Sequence, residues 1–63
     1  MRKQAQRVLA YLTRVGEDTD SNIGLTLDIP APSVRRSVQE LQDNGYPVSY
    51  LGSTGGYRLT REG

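Results

Sequence analysis

The 63-residue sequence predicts a small α+β domain, mainly α, in which three helices are followed by a two-stranded β-hairpin. Three observations predict it. Apolar residues recur at helical spacing in three segments between Arg2 and Asp43. Residues that stop and start helices separate those segments. After Asn44-Gly45 the apolar positions alternate instead, on either side of a glycine-rich turn.

The first helix runs from Arg2 to Val15. Ala5, Val8, Leu9 and Leu12 fall at i, i+3, i+4 and i+7, one stripe of an amphipathic helix. Lys3, Arg7 and Arg14 fall on the far side, as a solvated face, with Arg2 or Lys3 within reach of a phosphate. "GEDTDS" breaks the helix and reads as a loop: Gly16 is a natural stop, and Thr19, Asp20 and Ser21 are candidate N-caps for the next helix.

The second helix, in "SNIGLTLDI", is short, with Ile23 and Leu27 at i and i+4 forming one buried edge. Gly24 in a helix interior costs about 1 kcal/mol relative to alanine. Its presence there points to another helix approaching the backbone closely. Asp28 tolerates a left-handed backbone better than most residues.

The third helix spans Ala31 to Asp43. Val34, Val38 and Leu41 give it a narrow core stripe, and Pro32 falls in the first turn, where no N–H is needed for the helical ladder. Asn44-Gly45 suits a left-handed stop. In "YPVSYLGSTGGYRLT", Tyr46, Val48 and Tyr50 alternate on one strand and Tyr57 and Leu59 on the other, with "GSTGG" as the turn.

Residues 1–63 make one domain, and a chain of this size buries only about 60% of the surface its unfolded form exposes. Cysteine and histidine are both absent. Disulfides, an ordinary zinc site and cysteine- or histidine-based catalysis are therefore excluded, and the acids fall in loops and helix ends, so no catalytic constellation is expected. Neither an enzyme nor a cofactor is expected. No apolar run approaches the roughly 18 residues of a membrane span, and the N-terminus lacks the apolar core of a signal peptide. A cytoplasmic protein without a membrane partner is the expectation. The initial Met favours a natural start, although an excised domain of a longer protein is the alternative.

The net charge of +1 says little about partners until it is resolved along the chain. Glu17, Asp18 and Asp20 cluster in the first interhelical segment, and Glu40 and Asp43 lie late in the third helix. Ala31 to Ser37 holds Arg35 and Arg36 and no acid. That segregation favours nucleic acid over a purely structural role.

Two short helices joined by a tight connection form a helix-turn-helix, and a hairpin directly after the second makes it winged. Within "IGLTLDIPAPSVRRSVQELQDNGYPVSYLGSTGGYRL", the positions Ile23, Gly24, Leu27, Val34, Val38, Leu41, Gly45, Tyr46, Val48, Gly56, Tyr57 and Leu59 carry a family pattern. The stretch resembles the winged helix-turn-helix at the N-terminus of biotin-ligase repressors and related small bacterial or phage regulators. It differs from them in three places. Pro30 stands where a Ser or Thr cap is usual, Asp28 replaces the turn glycine, and the "GSTGG" tip carries no Lys or Arg. The ligase domain is missing, so nothing in the chain is expected to bind ATP or biotin.

The resemblance implies that the third helix enters the major groove of double-stranded DNA while the hairpin touches backbone. Arg35, Arg36 and Gln39 point away from the apolar stripe, with Ser33 and Ser37 on its flanks, and these five are the candidate contacts on the helix. Arginine can read guanine through a bidentate pair, and serine hydroxyls suit phosphate oxygens. On the hairpin, Ser53 and Thr54 at the tip and Arg58, facing outward, are the candidates. The expected function is a small transcriptional regulator, a repressor, acting as a homodimer or attached to a larger protein. Two rivals are an excisionase-like factor that bends DNA and a winged helix used for protein–protein contact.

Overall fold

In a computed structural model, which describes residues 1–60 apart from the side chain of Thr54, the first apolar stripe forms α1, Lys3–Val15. Ala5, Val8 and Leu12 are buried and Leu9 packs against them half-buried. Gly16 ends the helix with a positive φ of 88°, and its N–H donates to the Leu12 carbonyl at 2.8 Å.

The next three residues correct the expectation of a loop. Glu17–Thr19 forms a strand, β1. Three polar residues carry no period of their own, and they become a strand because a later one lies alongside. Thr19 then also caps α2, Asp20–Leu27, its hydroxyl accepting the Asn22 N–H at 3.1 Å. Loss of such a cap typically costs about 1 kcal/mol.

Between α2 and α3, Asp28 takes the left-handed backbone (φ 59°, ψ 49°) that its type permits. The Ile29 N–H turns back to the Gly24 carbonyl at 2.9 Å. α3 spans Ala31–Asp43 and starts at Pro30 without a side-chain cap. Backbone alone closes its first turn: the Ser33 and Val34 N–H groups both donate to the Pro30 carbonyl, at 2.9 and 3.1 Å. At the other end Gly45 has φ 88°, the Gly45 N–H donates to Gln42 and the Tyr46 N–H to Leu41. That pair of bonds is a Schellman stop, which satisfies carbonyls the helix leaves open.

The rest of the chain forms β2, Val48–Tyr50, a 3-10 turn at Gly52–Thr54, and β3, Gly56–Leu59. The sheet has three antiparallel strands in the order β1-β3-β2, so the last strand lies in the middle. Glu17, Asp18 and Thr19 face Arg58, Tyr57 and Gly56 across one side; Val48, Ser49 and Tyr50 face Leu59, Arg58 and Tyr57 across the other. The expected hairpin is present, but as two strands of three.

One core joins all of this. Val8, Leu12, Ile23, Val34 and Leu41 are fully buried, and Val48 and Tyr57 close it from the sheet. Of the alternating Tyr46, Val48 and Tyr50, only Val48 is buried. Tyr57 takes the inward place at the Tyr50 level, and the Tyr50 ring rests against it at 5.6 Å between centroids.

Gly56 explains how β1 can lie so close to β3. A Cβ there would stand 2.7 Å from the Asp18 carbonyl oxygen and 3.3 Å from the Thr19 Cα. Both are main-chain atoms, so neither can swing aside. Gly56→Ala is expected to push β1 off the sheet at a cost of about 1–3 kcal/mol. Amide hydrogen exchange should rise in residues 17–19 before it rises in α1 or α3; uniform protection would contradict the close approach.

A hydrogen-bonded knot ties β1 back to α1. The Asp18 carboxylate accepts the Tyr11 hydroxyl, the Thr19 N–H at 2.8 Å and the Asn22 side-chain amide at 3.1 Å. The Tyr11 hydroxyl above all holds the Asp18 carboxyl below its ordinary pKa, against an upward push from burial, with the Thr19 N–H and the Asn22 amide adding to the lowering. The folded state therefore binds this proton less readily than the unfolded chain. The resulting stability is present above the ordinary carboxylate value near pH 4 and is lost as pH falls through the lower folded value. Acid titration of thermal stability should show this loss below about pH 4, and Asp18→Asn should flatten it. An unchanged acid slope in the variant would remove Asp18 from the account.

Candidate functional site

α3 organises the candidate surface. Val34, Ser37, Val38 and Leu41 turn inward, which leaves Pro32, Arg35, Arg36 and Gln39 exposed on the opposite side. Successive helical residues diverge by about 100°, so the two arginines serve different places. Arg35 borders a groove of about 520 Å³ between α3 and the sheet, together with Gln39, Gln42 and Tyr50. Val38 and Tyr57 also line that groove, and Asp20 contributes a carboxylate from the start of α2. Arg36 borders a much smaller cleft, about 60 Å³, beside Arg2, Gln4, Ser33 and Glu40, where α3 meets the start of α1.

Ser37 leaves the candidate surface. It is only 3% exposed, and its hydroxyl donates to the Ser33 carbonyl at 2.9 Å. The reason is its angular position: Ser37 follows Val34 by three residues and precedes Leu41 by four, so the helical period itself turns it inward. Ser33 stays half-buried at the edge of the smaller cleft. The Gln39 amide donates to the Asp43 carboxylate at 3.1 Å, an exposed pairing that a ligand can displace.

On the sheet, Ser53 is exposed in the 3-10 turn. Thr54 belongs to the same turn by its backbone, and its side chain lies outside the described part of the chain. Arg58 is exposed but faces Glu17 across the strands, with Nε and Oε1 3.8 Å apart. An exposed pair of this kind is worth little, typically under ~1 kcal/mol. Alternation along β3 places Arg58 on the face of the sheet opposite Tyr57, away from the groove that holds Arg35.

The cations of α1 divide in the same way. Arg7 donates from Nη2 to the Leu27 carbonyl at 2.8 Å, closing the end of α2, and Arg14 lies 5.9 Å from the Tyr11 ring centroid. The Arg2 backbone N–H donates to the Glu40 carboxylate and fixes the start of α1 on α3. Arg2 shares the smaller cleft with Arg36, whereas Arg7 and Arg14 border another beside Tyr11 and Leu27.

The groove contains three residues that were not among the sequence-derived DNA contacts: Asp20, Gln42 and Tyr50. Gln42 follows Arg35 by seven residues and Gln39 by three, a spacing that places it on their side of the helix. Its amide also donates to the Val48 carbonyl at 2.7 Å, which locks β2 to α3. The Tyr57 hydroxyl is pushed above its ordinary pKa by burial first, then by Asp20, with Arg35 pulling the other way. Both charges thus act on one point of the groove floor.

Among the described residues no three metal-ligating side chains come together, and no helix is long and apolar enough to cross a membrane. No protein-family model matches the chain, and neither a curated protein nor a solved structure matches it.

Proposed function

We propose that the chain is a winged helix-turn-helix that binds double-stranded DNA sequence-specifically, as a small cytoplasmic transcriptional regulator of the repressor type. The arrangement that supports the reading is α2, a three-residue connection, α3 and then a hairpin. The observation that carries it is the outer face of α3, where Arg35, Arg36 and Gln39 are exposed and no acid occurs before Glu40. Three such side chains on one helix face match the donor and acceptor pattern of base edges in the major groove. With so small a module, a second copy or a larger protein supplies the remaining affinity.

Salt-titrated binding to labelled duplex DNA tests the reading. Affinity should fall linearly with the logarithm of salt concentration, as counterions are released from neutralised phosphates. Absence of duplex binding at low salt would sink it. The competing reading, a winged helix that contacts protein, draws on a specific feature: Leu25 on α2 is 81% exposed. Association that persists at high salt, with no DNA affinity at low salt, would select that alternative.

A further inference from the structure

The groove between α3 and the sheet has an unusual make-up for a DNA-facing surface. Its α3 wall carries Arg35, Gln39 and Gln42, while its sheet wall carries an exposed tyrosine, Tyr50, and no cation. Asp20 adds a negative charge from α2, its Oδ1 lying 3.8 Å from where a Cβ on Gly55 would be.

Tyr50 is 62% exposed although it lies on a paired strand, so core packing does not account for it. The buried Tyr57 supports its ring from one side, tilted by 48°. That support fixes the ring while the phenol stays accessible. Neutral donors such as a tyrosine hydroxyl commonly hold phosphate oxygens. The usual hairpin cations are not available for the task, since the tip has none and Arg58 faces the other side with Glu17.

We propose that this groove seats one sugar–phosphate strand of the duplex, with the Tyr50 hydroxyl donating to a phosphate oxygen and Asp20 opposing the strand. The inference rests on the DNA-binding reading above. Arg35 stands across the groove, close enough to read a base edge or neutralise the next phosphate once the strand is seated. Asp20 repels every duplex equally, because all phosphates carry the same charge. Its effect is to depress backbone-only binding, so that base contacts from α3 must make up the difference. Acting on all sequences alike, it lowers overall affinity and leaves the ratio between sequences unchanged.

The test measures anisotropy of a labelled random-sequence duplex at low salt with the full chain. Tyr50→Phe, which keeps the ring and its packing, should weaken binding about five-fold, the size of one neutral hydrogen bond. The salt slope should stay as in the parent, because a hydroxyl displaces no counterion. Asp20→Asn should tighten binding about two- to five-fold, as removal of one half-buried, solvent-screened charge implies. Parental affinity in either variant overturns the groove, and Arg35→Ala then shows whether α3 still binds DNA without it. Failure of the parent protein to bind duplex at all overturns both the groove and the function on which it rests.

Discussion

Replacing Arg35 and Arg36 together by alanine is expected to weaken duplex binding by roughly 100-fold, given about 1–3 kcal/mol for each arginine that reads a base. The salt slope should also become shallower, by about one for each arginine that had instead held a phosphate. The fold should not register the change. Both side chains are exposed, and among the described residues neither makes a hydrogen bond or ion pair within the chain. The far-UV circular dichroism spectrum should match that of the parent. Arg35 and Arg36 line different clefts but are adjacent in the chain and act on one duplex, so the two single substitutions beside the double one measure how far their effects couple. Equal DNA binding by parent and double variant would remove α3 as the reading helix.

The second large effect is on stability. Gly24 lies inside α2, where an added Cβ would be 2.6 Å from the Ile29 carbonyl oxygen and 3.7 Å from a Val34 methyl. The carbonyl is main chain and already part of the turn: the Gly24 carbonyl accepts the N–H groups of both Asp28 and Ile29. Alanine gains about 1 kcal/mol in helix propensity, but overpacking here costs about 3 kcal/mol. A net loss of about 2 kcal/mol lowers Tm by roughly 8–16 °C in a domain this small. Moving Ile29 also moves Pro30, whose carbonyl closes the first turn of α3, so DNA affinity should fall alongside Tm. A thermal melt of Gly24→Ala equal to that of the parent would show that the turn can yield.

How much was legible follows from where the information lay. α1 and α3 each run for 13 residues, long enough for a helical period to declare itself, and Pro32 and Asn44-Gly45 marked the ends of α3. The close approach at Gly24 was also readable, although its partner is chiefly the Ile29 carbonyl of the turn rather than a neighbouring helix. β1 was not readable, because Glu17, Asp18 and Thr19 have no apolar pattern and become a strand only beside β3. The same hidden strand supplies Glu17 opposite Arg58.

The candidate surface was legible in part for a related reason. A helical period tells which α3 residues face away from the core, and Ser37 was placed on the flank although its spacing from Val34 and Leu41 turns it inward. It does not tell which neighbour each outward residue meets. Arg35 and Arg36 look equivalent in the sequence and lie in different clefts in the structure. Alternation puts Tyr50 on the same face as Val48, but burial depends on what covers that face, and Tyr50 stays exposed.

The position of β3 has a consequence for how the molecule comes into being. It is the last strand in chain order, yet both β1 and β2 depend on it for their pairing. As the polypeptide is synthesised, all three helical segments emerge before either edge strand has a partner. The β2–β3 hairpin is local, whereas joining Glu17 to Arg58 closes most of the chain into a loop, as docking the start of α1 on α3 also does. Pairing of β1 has to wait for the strand made last, and that pairing reaches back to tether the link between the first two helices. A nascent chain holding only the helices would lack the clamp that turns them into a finished domain.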